Sequence, residues 1–316
     1  MKFSSLFRRR RSRQDFPLVP LWTFTTQGIL WRLLFSETNF IVGEDRDTAK
    51  KSVTFFCLNA HNGDVLWRDM AYDEAWWIGI EAIVDDRVYL HGFHKPDMPE
   101  HSKITAVDLA TGKVLWRNDQ NSFFYATAEK VVAFRDVFER RLFCELNAAT
   151  GELLAEMNEC PAEAYDVKGK NHGRTDFLFP QTLNDDVESI PLRHLVEANF
   201  HEDNIRGDIE FVRVNGAAIV NLHVVTKSPL QAPPGGSRFG IGMLRPEKPG
   251  EGIHGEVLQN SLHIFDERTG EELFAEVLNA ETPAAVPDSF FVDQSIVYFV
   301  KERKTLVALD CGQHVS

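Results

Sequence analysis

One short pattern recurs along the chain and limits its fold more than any other feature. Cys57-Leu58-Asn59-Ala60-His61-Asn62-Gly63-Asp64-Val65-Leu66-Trp67 is followed by Ala106 to Trp116 (AVDLATGKVLW), Glu145 to Ala155 (ELNAATGELLA) and Ile264 to Phe274 (IFDERTGEELF). A clipped copy, Val307 to Gly312 (VALDCG), comes last. Each full copy is an apolar-alternating strand, then Asp or Asn, two residues, Thr or Asn, Gly, and a second strand. Asp and Asn accept hydrogen bonds from backbone N–H groups just ahead of them, and Gly supplies the positive φ of a tight bulged hairpin. Four residues after the Gly stands a large apolar residue, Trp67, Trp116 or Phe274; the third copy departs with Ala155.

The Asp/Asn positions 59, 108, 147, 266 and 310 are 49, 39, 119 and 44 residues apart. A period near 40–50 residues with alternating strands is that of a four-stranded propeller blade. Helical repeats share such periods but not this hairpin chemistry or period-2 patterning. The chain therefore reads as all-β, a single propeller of five blades over 17–316, or six if 158–207 conceals a degenerate one. Blade one is expected over 29–68, blade two over 76–117, blade three over 122–157, blade four from 209 to 276 and blade five from 289 to 310. The last copy lacks its second strand, whereas Leu21-Trp22 repeats the Leu-Trp pair without a preceding strand. Residues 19–25 are accordingly expected to complete the last blade and close the ring, which removes open sheet edges.

The pattern in Asp108 to Trp116, and next in Asn59 to Trp67, resembles the PQQ-like (quinoprotein-type) propeller repeat, and the whole resembles a small uncharacterised bacterial propeller family. The resemblance implies the fold. It implies little about activity, since such repeats serve enzymes and scaffolds alike. Quinone-dependent dehydrogenases of this type use larger rings, a secretory signal, calcium carboxylates and often adjacent cysteines. This chain shows none of these, so no cofactor is expected.

Composition narrows the partners. Net charge is −13, yet residues 1–13 carry Lys2, Arg8, Arg9, Arg10, Arg11 and Arg13 and no acid. An acidic body is a poor nucleic-acid surface. Residues 1–16 read as a disordered basic tail capable of weak contact with an anionic lipid surface through 1–13. No run approaches the ~20 apolar residues of a membrane span. Four separated cysteines, 57, 144, 160 and 311, give neither metal-ligand spacing nor paired motifs and read as free thiols. Together with the lack of a signal-like apolar run, this gives a cytoplasmic expectation.

Function is sought in the long connections, because rigid scaffolds carry their chemistry on loops. Insertions at about 158–207, with a helical piece at 186–198, and at 228–257 follow an outer and a second strand. Both are therefore expected on one face, with the loop His94–His101 and the connection Tyr72–Trp77. His94 and His101 with Asp97 and Glu100 lack tight ligand spacing, so no metal is expected there. Phe239-Gly240-Ile241-Gly242-Met243 lacks the Gly-Lys-Ser/Thr of a phosphate loop, and neither a Gly-x-Ser-x-Gly elbow nor His-Glu-x-x-His occurs. No catalytic residue can be named. The expected activity is a non-catalytic scaffold that binds a protein or peptide, with Tyr72, Trp76, Trp77, His94, His101, Arg238, Phe239 and Arg245 as candidate binding residues. The alternative is an enzyme, a hydrolase or lyase, acting on a small or sugar-like substrate at the channel mouth.

Overall fold

Every predicted hairpin turn forms, and the reason is local. In each, the Asp or Asn side chain accepts a backbone N–H two or three residues on, as Asn59 does from His61 and Asp108 from Thr111, and Asn147 and Asp266 accept both. Gly63, Gly112, Gly151 and Gly270 take φ between 69° and 73°. The computed structural model describes residues 18–93, 100–138, 140–162, 173–184, 190–227 and 256–312.

Four consecutive strands form each of the first three antiparallel sheets. These are β2 (Ile29–Phe35) to β5 (Val65–Met70) through β3 (Phe40–Asp47) and β4 (Ser52–Asn59); β6 (Ile78–Val84) to β9 (Val114–Asn118) through β7 (Arg87–Phe93) and β8 (His101–Asp108); and β10 (Ser122–Ala126) to β13 (Leu153–Met157) through β11 (Lys130–Val137) and β12 (Arg140–Asn147). The fourth comprises β15 (Ile205–Val214), β16 (Ala217–Lys227), β17 (Val257–Asp266) and β18 (Glu272–Thr282), with the short β14 (Gln181–Thr182) added beside β15. The fifth is β19 (Phe290–Asp293), β20 (Ile296–Lys301) and β21 (Thr305–Asp310), with β1 (Pro20–Thr25) as its outer strand. β1 runs antiparallel to β21, with Trp22 opposite Ala308 and Phe24 opposite Leu306. No described helix is long and apolar enough to cross a membrane.

Alternating side chains give each sheet two apolar faces, and four junctions between sheets are filled by them. Val42 and Phe55 of the first sheet meet Ile80 and Leu90 of the second. Tyr89 and Ala106 of the second meet Ala126 and Ala133 of the third. Ile219 and Leu262 of the fourth meet Val297 and Val307 of the fifth. Trp22 and Tyr298 of the fifth return to Phe35, Ile41 and Phe56 of the first.

The repeated Trp explains the repeated Gly. Trp22 donates through Nε1 to Ala60 O (3.0 Å), Trp67 to Leu109 O (2.8 Å) and Trp116 to Ala148 O (2.8 Å). Each ring thus lies on the turn of the next sheet. A Cβ built on Gly63, Gly112 or Gly151 would stand only 2.7–2.9 Å from that ring. The glycine is needed for clearance as well as for its φ.

Between the third and fourth sheets this latch is missing, and a helix stands in its place. Ala155 cannot reach across, and a Cβ built on Gly270 would meet Leu195 Cδ1 at 3.4 Å instead of an indole. Leu195 belongs to α1 (Ile190–Asn199), whose Leu192 and Val196 bury against Ala218, Val220, Leu222 and Phe265. Each buried leucine or valine contributes about 2 kcal/mol. The segment left open for a sixth blade therefore holds a helix and a short strand, and the five expected sheets form among the described residues.

The expectation that both insertions crowd one face needs correction. Residues 173–183 start beside the opposite end of β2, where Arg174 N–H donates to Phe35 O, then pair Leu178 with Val292 of β19 and Gln181 with Phe211 of β15. One short stretch touches the first strands of three sheets, which places those strands around a common axis with 173–183 running along it. The physical cause is apolar: Phe177 packs on Phe35 and Phe291 with ring centroids 4.9 and 5.2 Å apart. The insertion 228–257 falls almost wholly outside the described residues, as do the basic tail and its lipid contact.

Candidate functional site

Charged residues buried between the first two sheets mark the site. Glu44 and Arg46 on β3 are 1% and 8% exposed, and a buried pair of this kind must be fully hydrogen-bonded to be tolerated. It is. Arg46 Nε donates to Glu44 Oε2 (2.7 Å), while its Nη atoms donate to Trp76 O and Ile78 O. Glu44 Oε1 accepts Ile80 N–H at 2.7 Å, and Arg32 Nη1 donates to Ile80 O at 2.7 Å. These bonds tie the loop-bearing ends of the first two sheets together.

Indoles lie over this lock. The Arg46 guanidinium carbon is 5.2 Å from the Trp76 ring centroid and 5.9 Å from that of Trp31. Trp31 is 61% exposed and Trp77 38%. The connection that carries Trp76 and Trp77 is pinned because Glu74 Oε1 accepts both of their backbone N–H groups, at 3.0 and 3.1 Å. That bonding holds the Glu74 carboxyl below the usual range.

Trp77 leads inward through Phe93, 5.7 Å away edge-on, to two histidines. Phe93 meets the rings of His91 and His101 edge-on at 5.2 and 5.5 Å, and those two rings stack at 3.5 Å. Glu81 stands at their edge. His101 Nδ1–H donates to Glu81 Oε2 at 2.7 Å. His91 Nδ1 lies 2.8 Å from the same oxygen, but out of alignment, so it makes no hydrogen bond. Gly79 lets the carboxylate of Glu44 approach from behind: a Cβ there would be 3.0 Å from Glu44 Oε1 and 3.1 Å from His91 Nε2. Burial works to raise the Glu81 carboxyl, but the hydrogen bond from His101 and the charges of both histidines outweigh it and bring it down to about 2. Burial pushes the His91 imidazole below its ordinary value, against the pull of Glu81.

Of the residues expected to form a site, Trp76, Trp77 and His101 come together here. Tyr72 does not. Its ring packs on Phe55 and its hydroxyl donates to Gly112 O at 2.9 Å, so it serves the junction between sheets. His94, Arg238, Phe239 and Arg245 lie outside the described residues. Trp31, Glu44, Arg46, Glu81, His91 and Phe93 went unrecognised in the sequence. For Glu81 and His91 the available signal was an acid or a histidine among apolar strand neighbours; Glu44 and Arg46 stand in the charged run Glu44-Asp45-Arg46-Asp47 and gave no such contrast.

Two further features belong to the framework. Ser261 Oγ–H donates to His263 Nε2 (2.9 Å) and His263 Nδ1–H to Glu272 Oε1 (2.7 Å), the order of a serine-hydrolase relay. Ser261 is buried in the sheet at 6% exposure, and Phe200, which follows α1, covers His263 at 4.7 Å. A cavity of about 260 Å³ at the opposite end of the axis is lined by Leu33, Phe35, Phe177, Phe179 and Phe291. Arg174 at its edge is committed to Asp293 and Asp176.

A model of a domain of unknown function, DUF4905, matches residues 35–116, a stretch that includes every residue of the cluster except Trp31 and Arg32. No curated protein matches the chain. Among solved structures, the β-propeller domain of the Trilobed protease from Pyrococcus furiosus aligns at 9% identity and TM-score 0.29, over 90% of this chain and 70% of that one. A complex of KlAtg21 with the coiled coil of AgAtg16 aligns at 9% identity and TM-score 0.26, over 87% and 67%. TolB from Acinetobacter baumannii aligns at 10% identity and TM-score 0.25, over 86% and 64%.

Proposed function

We propose that the protein is a non-catalytic binding platform that takes a protein or peptide partner on the loop-bearing ends of its first two sheets. One observation carries this reading: Trp31 and Trp77 are exposed on a surface whose backbone is fixed by the buried Glu44–Arg46 pair. An indole that is mostly exposed yet held in place loses little entropy when covered. Covering the free part of Trp31 is worth up to about 3 kcal/mol at ~25 cal/mol per Å². Interface hot spots are enriched in Trp and Arg for this reason.

The test is site-specific photo-crosslinking in cells, with the crosslinking side chain at position 77 and, as a control, at the exposed His61 turn of the opposite face. A discrete adduct from position 77, absent from position 61 and lost in Trp31→Ala, is the expected result. Equal adducts from both positions overturn the reading. A second reading, an enzyme acting on a small or sugar-like substrate, draws support from Glu81, His91 and His101 standing within hydrogen-bond reach on this same face. Turnover that survives Trp31→Ala and is lost in Glu81→Gln would favour it.

A further inference from the structure

The donor set at Glu81, His91 and His101 does more than complete an aromatic surface. Strand irregularities aim all three side chains at one point. Between Ile80, paired with Leu90, and Ala82, paired with Tyr89, Glu81 is the extra residue of a bulge in β6. Opposite His91, β8 carries two residues, Lys103 and Ile104, between Ser102, paired with Gly92, and Thr105, paired with Leu90, and Lys103 takes φ 62°. Bulges redirect side chains, and they concentrate beside functional sites. Here they place one carboxylate oxygen and two imidazole Nδ1 atoms within 4.8 Å of one another.

His91 supplies the second observation. It is 4% exposed, and its Nδ1, aimed at this point, has no hydrogen-bond partner. A buried ring nitrogen left unpaired costs free energy unless something occupies its lone pair. Behind the ring, the Glu44 carboxylate lies near the His91 Nε2 edge. In front, His101 is 39% exposed, which leaves a path from solvent.

We propose that Glu81 Oε2, His91 Nδ1 and His101 Nδ1 bind a divalent transition-metal ion of the Zn²⁺ or Fe²⁺ class. One carboxylate and two imidazoles suit such ions, and three protein ligands leave positions open for water or a ligand. Bonds of about 2.0–2.2 Å place tetrahedral donors roughly 3.4 Å apart. The present 2.7 and 2.8 Å separations are hydrogen-bond distances. Binding therefore moves the Glu81 carboxylate outward by roughly 0.6 Å and splays the stacked rings. A residue on a bulge and a half-exposed histidine at the start of a strand can make that adjustment. The inference is independent of the partner proposed above.

The experiment uses the full chain, stripped with chelator, and follows Zn²⁺ by calorimetry and thermal melting, and Co²⁺ by its visible absorption. Wild type should bind one Zn²⁺, melt higher as Zn²⁺ is added, and give Co²⁺ bands of low-coordinate intensity. His101→Ala and Glu81→Gln should melt like the metal-free wild type and bind Zn²⁺ at least about 10-fold more weakly, since even outer-sphere changes cost that much. Cys160→Ser, which removes the exposed thiol, should bind as wild type does. No Zn²⁺ binding by wild type, or binding unchanged in both His101→Ala and Glu81→Gln, overturns the proposal.

Discussion

Replacing Gly151 by Ala tests the latch that joins one sheet to the next. Gly151 takes φ 73°, and an added Cβ would stand 2.7 Å from Cδ2 and Cε3 of Trp116. The left-handed backbone costs an Ala about 1–2 kcal/mol, and forcing the indole aside costs about 1–3 kcal/mol more. The single variant should therefore lose about 2–5 kcal/mol. Trp116→Ala should itself cost about 3–5 kcal/mol, because the ring is buried and its N–H bond to Ala148 O is lost. In the Trp116→Ala background the steric cost disappears, and Gly151→Ala should cost only the backbone share, about 1–2 kcal/mol. The double variant is then more stable than the sum of its parts by about 1–3 kcal/mol. Urea unfolding of the four proteins measures this directly, provided the slopes stay equal. Additivity to within about 0.5 kcal/mol would show that Gly151 answers to its turn alone and that the Trp-to-Gly latch does not exist.

Arg46→Met should destabilise the protein by about 3–5 kcal/mol in urea unfolding, because it leaves Glu44 buried without its partner. Leu192→Ala should cost about 2–5 kcal/mol and uncover the face of the fourth sheet, which a fluorescent dye for exposed apolar surface would report. His223 is buried, and its Nε2 accepts Val286 N–H at 3.0 Å, so the fold favours the neutral ring and lowers its pKa from 6.5. The unfolded chain binds that proton more readily, so stability should be whole above about pH 6.5 and fall as pH drops below it. His223→Gln keeps an acceptor without titrating, and denaturation at pH 7.5 and 5.5 should show a smaller loss than wild type. Removal of residues 1–16 should leave the melting temperature nearly unchanged, and removal through Phe24 should unfold the protein.

The blades were legible because their turns are local chemistry. Asn59, Asp108, Asn147 and Asp266 cap their own loops, and Gly supplies the φ, whatever lies nearby. Even the one irregular junction left a mark in Ala155, although its meaning depended on a helix whose target, the face around Val220 and Phe265, comes from other strands. The path of 173–183 was not legible, since Phe177 finds Phe35 and Phe291 only across the axis. Trp76, Trp77 and His101 stood out as rings on connections. Glu81 and His91 did not, because one acid or histidine in a strand looks like any half-buried residue until bulges turn both toward one point. Tyr72 was misread for the converse reason: a ring on a connection can serve the core.

β1 lies against β21 as the outer strand of the fifth sheet, and we propose that the packing of the other sheets, with the surface around Arg46 and Glu81, depends on that pairing. Hydrogen exchange read by mass spectrometry measures that dependence. The amides of residues 22–25 should exchange as slowly as those of 305–309, through the same global opening. Fast exchange over 22–25 beside a protected β21 would mean that the ring holds without its N-terminal strand, and the account of how the sheets are joined would be wrong.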